Sequence, residues 1–355
     1  MDLKIALIEI GGSHEECLLS QMIALKSVGA HLTLICTQDL QNRNPHFEKY
    51  VDAFLIVGFT QKAWVDFKLM LGINEFLKAN GFQKVIINTA QGGHIRNLCL
   101  FAPKQIEFIG IIHTIRKFQG SATQKIINRK IKKYLVLSDF LLEKITPPKG
   151  IHVRSFYPLE YERFHLPLEK KAGETWITIV GGVENRRKDL AGFIEMIQHI
   201  QHENLKFIFL GKSDANKQEV IDFRQEIQSQ NRLGQFVFFD HFVAPNLFDA
   251  YITQTDFLCP LIHPDTQSAE QYISNQISGA FNLAYSYQIP LLIHENYEGV
   301  EDLKLASFFY KLSDFQNTLN EAITQRPAKC KAIADVGKWR KDFQREKFLA
   351  FVTGN

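Results

Sequence analysis

Short apolar runs alternate with amphipathic stretches along this chain, and the alternation stops once and then restarts. In the first half the runs Lys4–Ile10, His31–Cys36, Phe54–Val57, Lys84–Asn88, Phe108–His113 and Tyr134–Leu137 read as strands, each followed by a polar or glycine turn. Between them, Glu15–Ser27 and Lys62–Lys78 have helical patterning, with Gly29 placed to cap the first. Arg154–Ala172 then holds two prolines and no period, as a linker would. Beyond it Trp176–Val180, Lys206–Leu210, Phe236–Phe239, Phe257–Leu261 and Leu291–Ile293 read as strands, with helices such as Asp189–Ile200 and Asn246–Thr253 filling the gaps. Alternation of this kind builds a parallel sheet covered by helices on both faces. The expectation is therefore α/β, with two Rossmann-like doubly wound domains facing a cleft. Their bounds are 1–155 and 173–330, joined by a linker over 156–172. The basic tail Lys331–Val352 reads as one amphipathic helix with Trp339 and Phe343 on a shared face, and 331–355 is expected to pack back toward the first domain.

Composition narrows the function classes. A chain of 355 residues is long for one core and natural for two. The net charge of +3 is too small to point to nucleic acid. Five scattered cysteines, none in Cys-x-x-Cys spacing, indicate neither a zinc site nor a disulfide framework, and a reduced, cytoplasmic setting is the simplest expectation. The opening MDLKIALIEIGG is too short in its apolar run for a secretory signal, and no apolar run reaches membrane-spanning length.

Two segments stand out for chemistry. Trp176–Lys188, WITIVGGVENRRK, is a strand running into a glycine pair and then cations. Ser278–Leu292, SGAFNLAYSYQIPLL, is a small-residue helix start leading to a strand. Gly181 and Gly182 permit a tight turn and close backbone approach, and Arg187 and Lys188 stand at a helix entry, where anions are favoured. Ser278 is a good N-cap, and Gly279 and Ala280 leave first-turn N–H groups open to phosphate. Each segment also has a plain reading: a solvated polar loop, and a capped helix that needs no ligand. The run FVFFDHFV ends a strand at the same sheet edge. It is either a rim for a nucleobase, through His241, Phe242 and Val243, or a buried strand end with Phe242 in the core.

The order strand-GG-x-x-x-x-R-K, FIFLGK, VFFDHFVAPNLFDAYITQTDFLCPLI and a small-residue helix ending in QIPLL resembles the C-terminal half of a GT-B glycosyltransferase over roughly Trp176–Ile293. The nearest likeness is to the large family-4-like group of bacterial retaining sugar transferases. The resemblance implies that Lys188 binds the donor diphosphate and that Asp240–Val243 lies against the nucleobase. Gly182 stands where relatives carry an arginine, a role that Arg186 or Arg187 can take over. Relatives also carry two glutamates ahead of the small-x-Pro strand. The matching positions here are Asn275 and Leu283, so Ser278 and Gly279 are expected to rebuild the donor site with backbone amides.

The first half then supplies the acceptor side. Gly11-Gly12-Ser13-His14-Glu15 follows the first strand but lacks the third glycine of a dinucleotide fingerprint, which disfavours NAD. The resemblance puts the loop with Gly12, Ser13 and Glu15 beside the donor phosphates and the acceptor, and a histidine at the strand end of His113 often contacts the donor sugar in that family. His14 either binds sugar hydroxyls or accepts a proton, which makes His14 and His113 the candidate catalytic residues. The plain reading of each histidine is a capping or core group. Asn88 and Thr89 end a strand on the same edge, where they bind an acceptor or cap the next helix. Thr114–Lys133 is rich in cations, a solvated face or a peripheral membrane contact. No Asp-x-Asp occurs, so no metal is expected. The activity expected is metal-independent transfer of a sugar from a nucleoside diphosphate donor to a glycan or lipid-linked acceptor. No cofactor or nucleic acid is involved, and the site is cytoplasmic or peripheral on the inner membrane face. The alternatives are a GT-B nucleotide-sugar epimerase or hydrolase, and a non-catalytic nucleotide- or sugar-binding protein with a decayed site.

Overall fold

The computed structural model describes residues 3–12 and 14–354. Ser13, a candidate acceptor residue, lies outside the described residues. Two compact units result: 1–161 together with 341–355, and 162–340.

The first unit is built on seven parallel strands, β1 (Lys4–Glu9), β2 (His31–Cys36), β3 (Ala53–Ile56), β4 (Lys84–Ile87), β5 (Glu107–Ile111), β6 (Lys133–Val136) and β7 (His152–Ser155). Their order is β3-β2-β1-β4-β5-β6-β7. The second unit has β8 (Thr175–Val180), β9 (Leu205–Lys212), β10 (Phe236–Phe239), β11 (Phe257–Leu258), β12 (Leu291–His294) and β13 (Ser307–Tyr310), ordered β10-β9-β8-β11-β12-β13 and all parallel. In each sheet the order reverses between the first and fourth strands. The loops after β1 and β4, and those after β8 and β11, therefore leave the carboxyl edge at a switch point, where open α/β sheets leave room for a ligand. Central strands are apolar on both faces because helices cover both: Ile5, Leu7, Ile8, Ile86 and Ile87 are fully buried, as are Ile177, Ile179, Phe207 and Phe209.

Several expectations are corrected. The first helix opens with a 3-10 turn, Glu15–Cys17, and becomes α-helical only over Leu18–Ser27; Gly29 follows its end at φ 71°. The strand expected over Phe257–Leu261 stops at Leu258: Pro260 has no N–H to continue the ladder, and Leu261 adopts a left-handed φ of 55°. The edge strands β7 and β13 carried no clear pattern, and Arg154 and Ser155, read as the start of the linker, belong to β7. The tail is not one helix. Phe315–Ala334 ends, a 3-10 turn covers Gly337–Trp339, and a new helix runs over Lys341–Thr353. Trp339 is buried and stacks on Tyr285 at 4.1 Å, whereas Phe343 is exposed, so the two share no face. The last helix packs on Leu18–Ser27 within the first unit. There Gln344 accepts from the Tyr157 amide at 3.0 Å, and Arg345 pairs with Glu160 at 2.8 Å.

Candidate functional site

In the second unit, β8 delivers the glycine pair at the switch point. Gly181 sits at φ 90°, a conformation that favours glycine. A side-chain carbon added there would lie 3.2 Å from the Lys188 ammonium. One added at Gly182 would collide with the Lys212 carbonyl at the end of β9. The glycines thus do more than admit a ligand: one makes room for the lysine, the other for the neighbouring strand. Lys188 is 5% exposed, and no carboxylate among the described residues lies within ion-pair distance of it. Burial pulls its pKa down from 10.5 to about 8, with the charge of Glu184 working against that shift and Arg187 adding to it. The ammonium therefore still carries its charge at neutral pH, buried and without an ion-pair partner among the described residues. Such a group binds an anion strongly.

The residues around Lys188 are anchored. Asp189 caps the Leu190–Gln198 helix, its Oδ1 accepting from the Gly192 amide at 2.8 Å. Its Oδ2 accepts from Nδ1 of His263 at 2.9 Å, and the Tyr310 hydroxyl bonds Nε2 of the same ring at 2.7 Å. His263 and Tyr310 are each 1% exposed. The Asp189 amide donates to the carbonyl of left-handed Leu261 at 2.9 Å, and the Ser268 hydroxyl to the Arg186 carbonyl at 2.9 Å. The loop after β11 is therefore tied to the lysine loop after β8 at three points. A buried leucine in this conformation costs on the order of 1 kcal/mol, and strain of that size persists where a site requires it.

The other expected donor residues have their own local settings. Arg187 is half exposed and pairs with Glu184 at 3.2 Å. Ser278 caps Gly279–Tyr287, its hydroxyl accepting from the Ala280 amide at 3.4 Å, and Gly279 faces open space. Asn275 ends the short Ala269–Ser274 helix, and Leu283 is buried, so neither position offers a carboxylate. Val243 is buried, whereas Phe242 is 56% exposed rather than in the core; His241 is exposed. A cavity of about 280 Å³ is lined by Gly182, Val183, Glu184, Lys212, Asp214 and Lys217. Lys212 and Lys217 carry no local signal in the sequence: Lys212 ends β9, which pairs with β8, and Lys217 precedes the Gln218–Ser229 helix.

In the first unit the same topological position is centred on a carboxylate. Glu9 ends β1 fully buried. Its Oε1 accepts from the Gly11 amide at 2.6 Å, and its Oε2 accepts from Asn88 Nδ2 at 2.7 Å and the Thr89 hydroxyl at 2.5 Å. Burial raises its pKa, with the hydrogen bonds from Thr89, Asn88 and Gly11 opposing. Asn88 also donates to the His14 carbonyl at 2.9 Å and accepts from Gln21 at 2.6 Å, so its amide is saturated and acts as a positioning group. Glu15 pairs with Arg43 at 3.3 Å, and Arg43 reaches the Gly12 carbonyl at 3.3 Å.

His14 and His113 come together, their rings stacked 3.7 Å apart at 15°. His14 holds a left-handed φ of 68°, and its Nδ1 lies 3.4 Å from Glu16. Burial disfavours its charged form, yet the hydrogen bond to Glu16 and the charges of Glu16, Glu9 and Glu15 outweigh that and raise its pKa. His113 is 5% exposed, and burial with the neighbouring His14 charge pulls its pKa down to about 3. Its Nε2–H donates to the Asn88 carbonyl at 2.8 Å, which leaves Nδ1 a bare acceptor without a partner among the described residues. Glu9 went unseen in the sequence because it stands inside an apolar strand and its partners lie far along the chain.

Among the described residues, no cluster of His, Cys, Asp and Glu is arranged to hold a metal, and no helix is long and apolar enough to cross a membrane. No protein-family profile matches the chain, and no curated protein does. Solved structures do. A glycosyltransferase from Rickettsia africae aligns with TM-score 0.69 at 11% identity, over 99% of this chain and 98% of that one. The fold is GT-B. Anabaena HepE, solved with UDP and glucose, aligns with TM-score 0.68 at 11% identity, over 99% of this chain and 100% of that one. A UDP-N-acetylglucosamine 2-epimerase aligns with TM-score 0.65 at 12% identity, over 100% of this chain and 98% of that one. GT-B neighbours thus include both transferases and epimerases.

Proposed function

We propose that this GT-B chain is a metal-independent glycosyltransferase that moves a sugar from a nucleoside diphosphate donor to a glycan or lipid-linked acceptor. The observation that carries the reading is Lys188: a buried ammonium without an ion-pair partner among the described residues, lodged against Gly181 at the switch point of the second sheet. During transfer the bond between the anomeric carbon and the diphosphate oxygen breaks, and a bond to the acceptor oxygen forms. Negative charge grows on the leaving diphosphate, where Lys188 and the amides at Ser278–Ala280 oppose it without reorganising. Lys217 lines the cavity beside the same turn, where Lys212 pairs with Asp214 at 3.4 Å. The UDP and glucose held by HepE support a nucleotide-sugar donor. His113 offers Nδ1 to a sugar hydroxyl as a neutral acceptor, while the raised pKa of His14 suits it to carry a proton. The donor is a substrate, so no further cofactor enters.

A thermal-shift series with UDP, GDP, ADP and TDP sugars, followed by product analysis, tests this reading. A native-state ligand raises stability by mass action, so one nucleotide family is expected to shift the melting temperature, and its sugar to appear on an added acceptor. No shift with any of them contradicts the reading. A second reading, a nucleotide-sugar epimerase or hydrolase, is favoured by the titratable groups Glu9, His14, Glu16 and His113 gathered at one sheet edge. It requires an epimer or free sugar to form when no acceptor is present.

A further inference from the structure

We propose that the first unit carries a docking surface for an anionic lipid bilayer, centred on Trp64. Trp64 is 66% exposed at the start of the Ala63–Ala79 helix, beside Val65 at 45%. Leu100 and Phe101, at the end of the Gly93–Leu100 helix, are 47% and 56% exposed. Phe67 joins the two ends: it stacks on Trp64 at 5.6 Å and meets Phe101 edge-on at 5.6 Å. The result is a continuous aromatic patch, not scattered apolar residues.

Charge identifies the partner. Lys62, Lys68 and Lys104 are exposed around the patch, and the Lys68 ammonium lies 5.5 Å from the Trp64 ring centre. Asp66, the carboxylate within the patch sequence, is 4% exposed and accepts from the Thr60 amide and hydroxyl. Between Asp52 and Asp139 the chain holds thirteen Lys and Arg against Asp66, Glu75 and Glu107, although the whole protein carries only +3. Aromatic side chains at headgroup depth with lysines reaching past them suit an anionic interface. A symmetric pairing of two copies would set these lysines against each other.

The apolar anchor is not where the cation-rich Thr114–Lys133 suggests. There Ile127 and Ile131 are fully buried, and Lys130 donates to the Pro103 and Ile106 carbonyls at 2.6 and 2.8 Å. That segment adds exposed Arg116, Lys117, Lys125 and Arg129; its helix, Ala122–Lys130, packs beside Gly93–Leu100, which packs beside Ala63–Ala79. The surface is independent of the reaction catalysed.

The other two tryptophans, Trp176 and Trp339, are each 6% exposed, so a vesicle-induced change in tryptophan emission reports Trp64. Adding phosphatidylglycerol–phosphatidylcholine vesicles is expected to shift emission to the blue, and pure phosphatidylcholine is not. Trp64→Ala with Phe101→Ala is expected to weaken vesicle co-sedimentation about tenfold, and Lys62→Glu with Lys68→Glu similarly. The substituted side chains are exposed, so the melting temperature checks that the variants fold. No emission shift with anionic vesicles, co-sedimentation unchanged in both double variants, or a blue shift on concentrating the protein without vesicles would each overturn the proposal.

Discussion

The turn after β1 and the turn after β8 occupy the same place in two sheets of the same strand order, yet they hold opposite charges. The first surrounds Glu9, a buried carboxylate already saturated by Gly11, Asn88 and Thr89. The second surrounds Lys188, a buried ammonium near Glu184 but with no ion-pair partner among the described residues. One fold position thus holds two arrangements: a closed network that fixes His14 and His113, and a buried cation without an ion-pair partner among the described residues, the group proposed to take the diphosphate. Topology supplies the location, and the buried side chain held there decides the chemistry.

Substitutions sharpen this contrast. Lys188→Met is expected to lower nucleotide diphosphate affinity about 100-fold by calorimetry, and to leave the melting temperature equal or higher, because a buried unpaired charge is replaced by an apolar side chain. Glu9→Ala is expected to do the reverse. It removes the acceptor of buried Asn88, half-buried Thr89 and exposed Gly11, and destabilises by about 2 kcal/mol in urea titration, with nucleotide affinity unchanged. Gly182→Ala drives a methyl into the Lys212 carbonyl, and a loss of about 2 kcal/mol is expected by the same titration. Arg187→Ala is expected to change affinity about twofold or less, since that side chain is half exposed and already paired with Glu184. If Glu9→Ala and Lys188→Met affected affinity equally, the two turns would not be divided as described.

The repeating alternation made both sheets legible, and His31–Cys36 and Phe236–Phe239 have the expected ends because apolar β-branched and aromatic runs meet clear turns there. Lys188 was legible because glycines and cations cluster locally after a strand. Its support was not. His263 and Tyr310 lie far along the chain from Asp189, and a lone histidine carries no spacing signal. Glu9 is hidden within its apolar strand, and its role appears only when β1 pairs with β4. Phe242 resembles a core residue by composition, but the turn after β10 puts it in solvent. Pairwise contacts across the fold, not local pattern, decide these cases.

The central claim is that the Lys188 ammonium receives the diphosphate. Lys188 titrates at about 8 in the free protein, so raising the pH through that value removes the charge and weakens anion binding, whereas an ordinary lysine would hold it until 10.5. Calorimetric titration of UDP between about pH 7 and 9 is the direct measurement. The account predicts that affinity falls across pH 8 in the native protein and stays level in Lys188→Met. Equal affinities and equal pH profiles in the two proteins would contradict it.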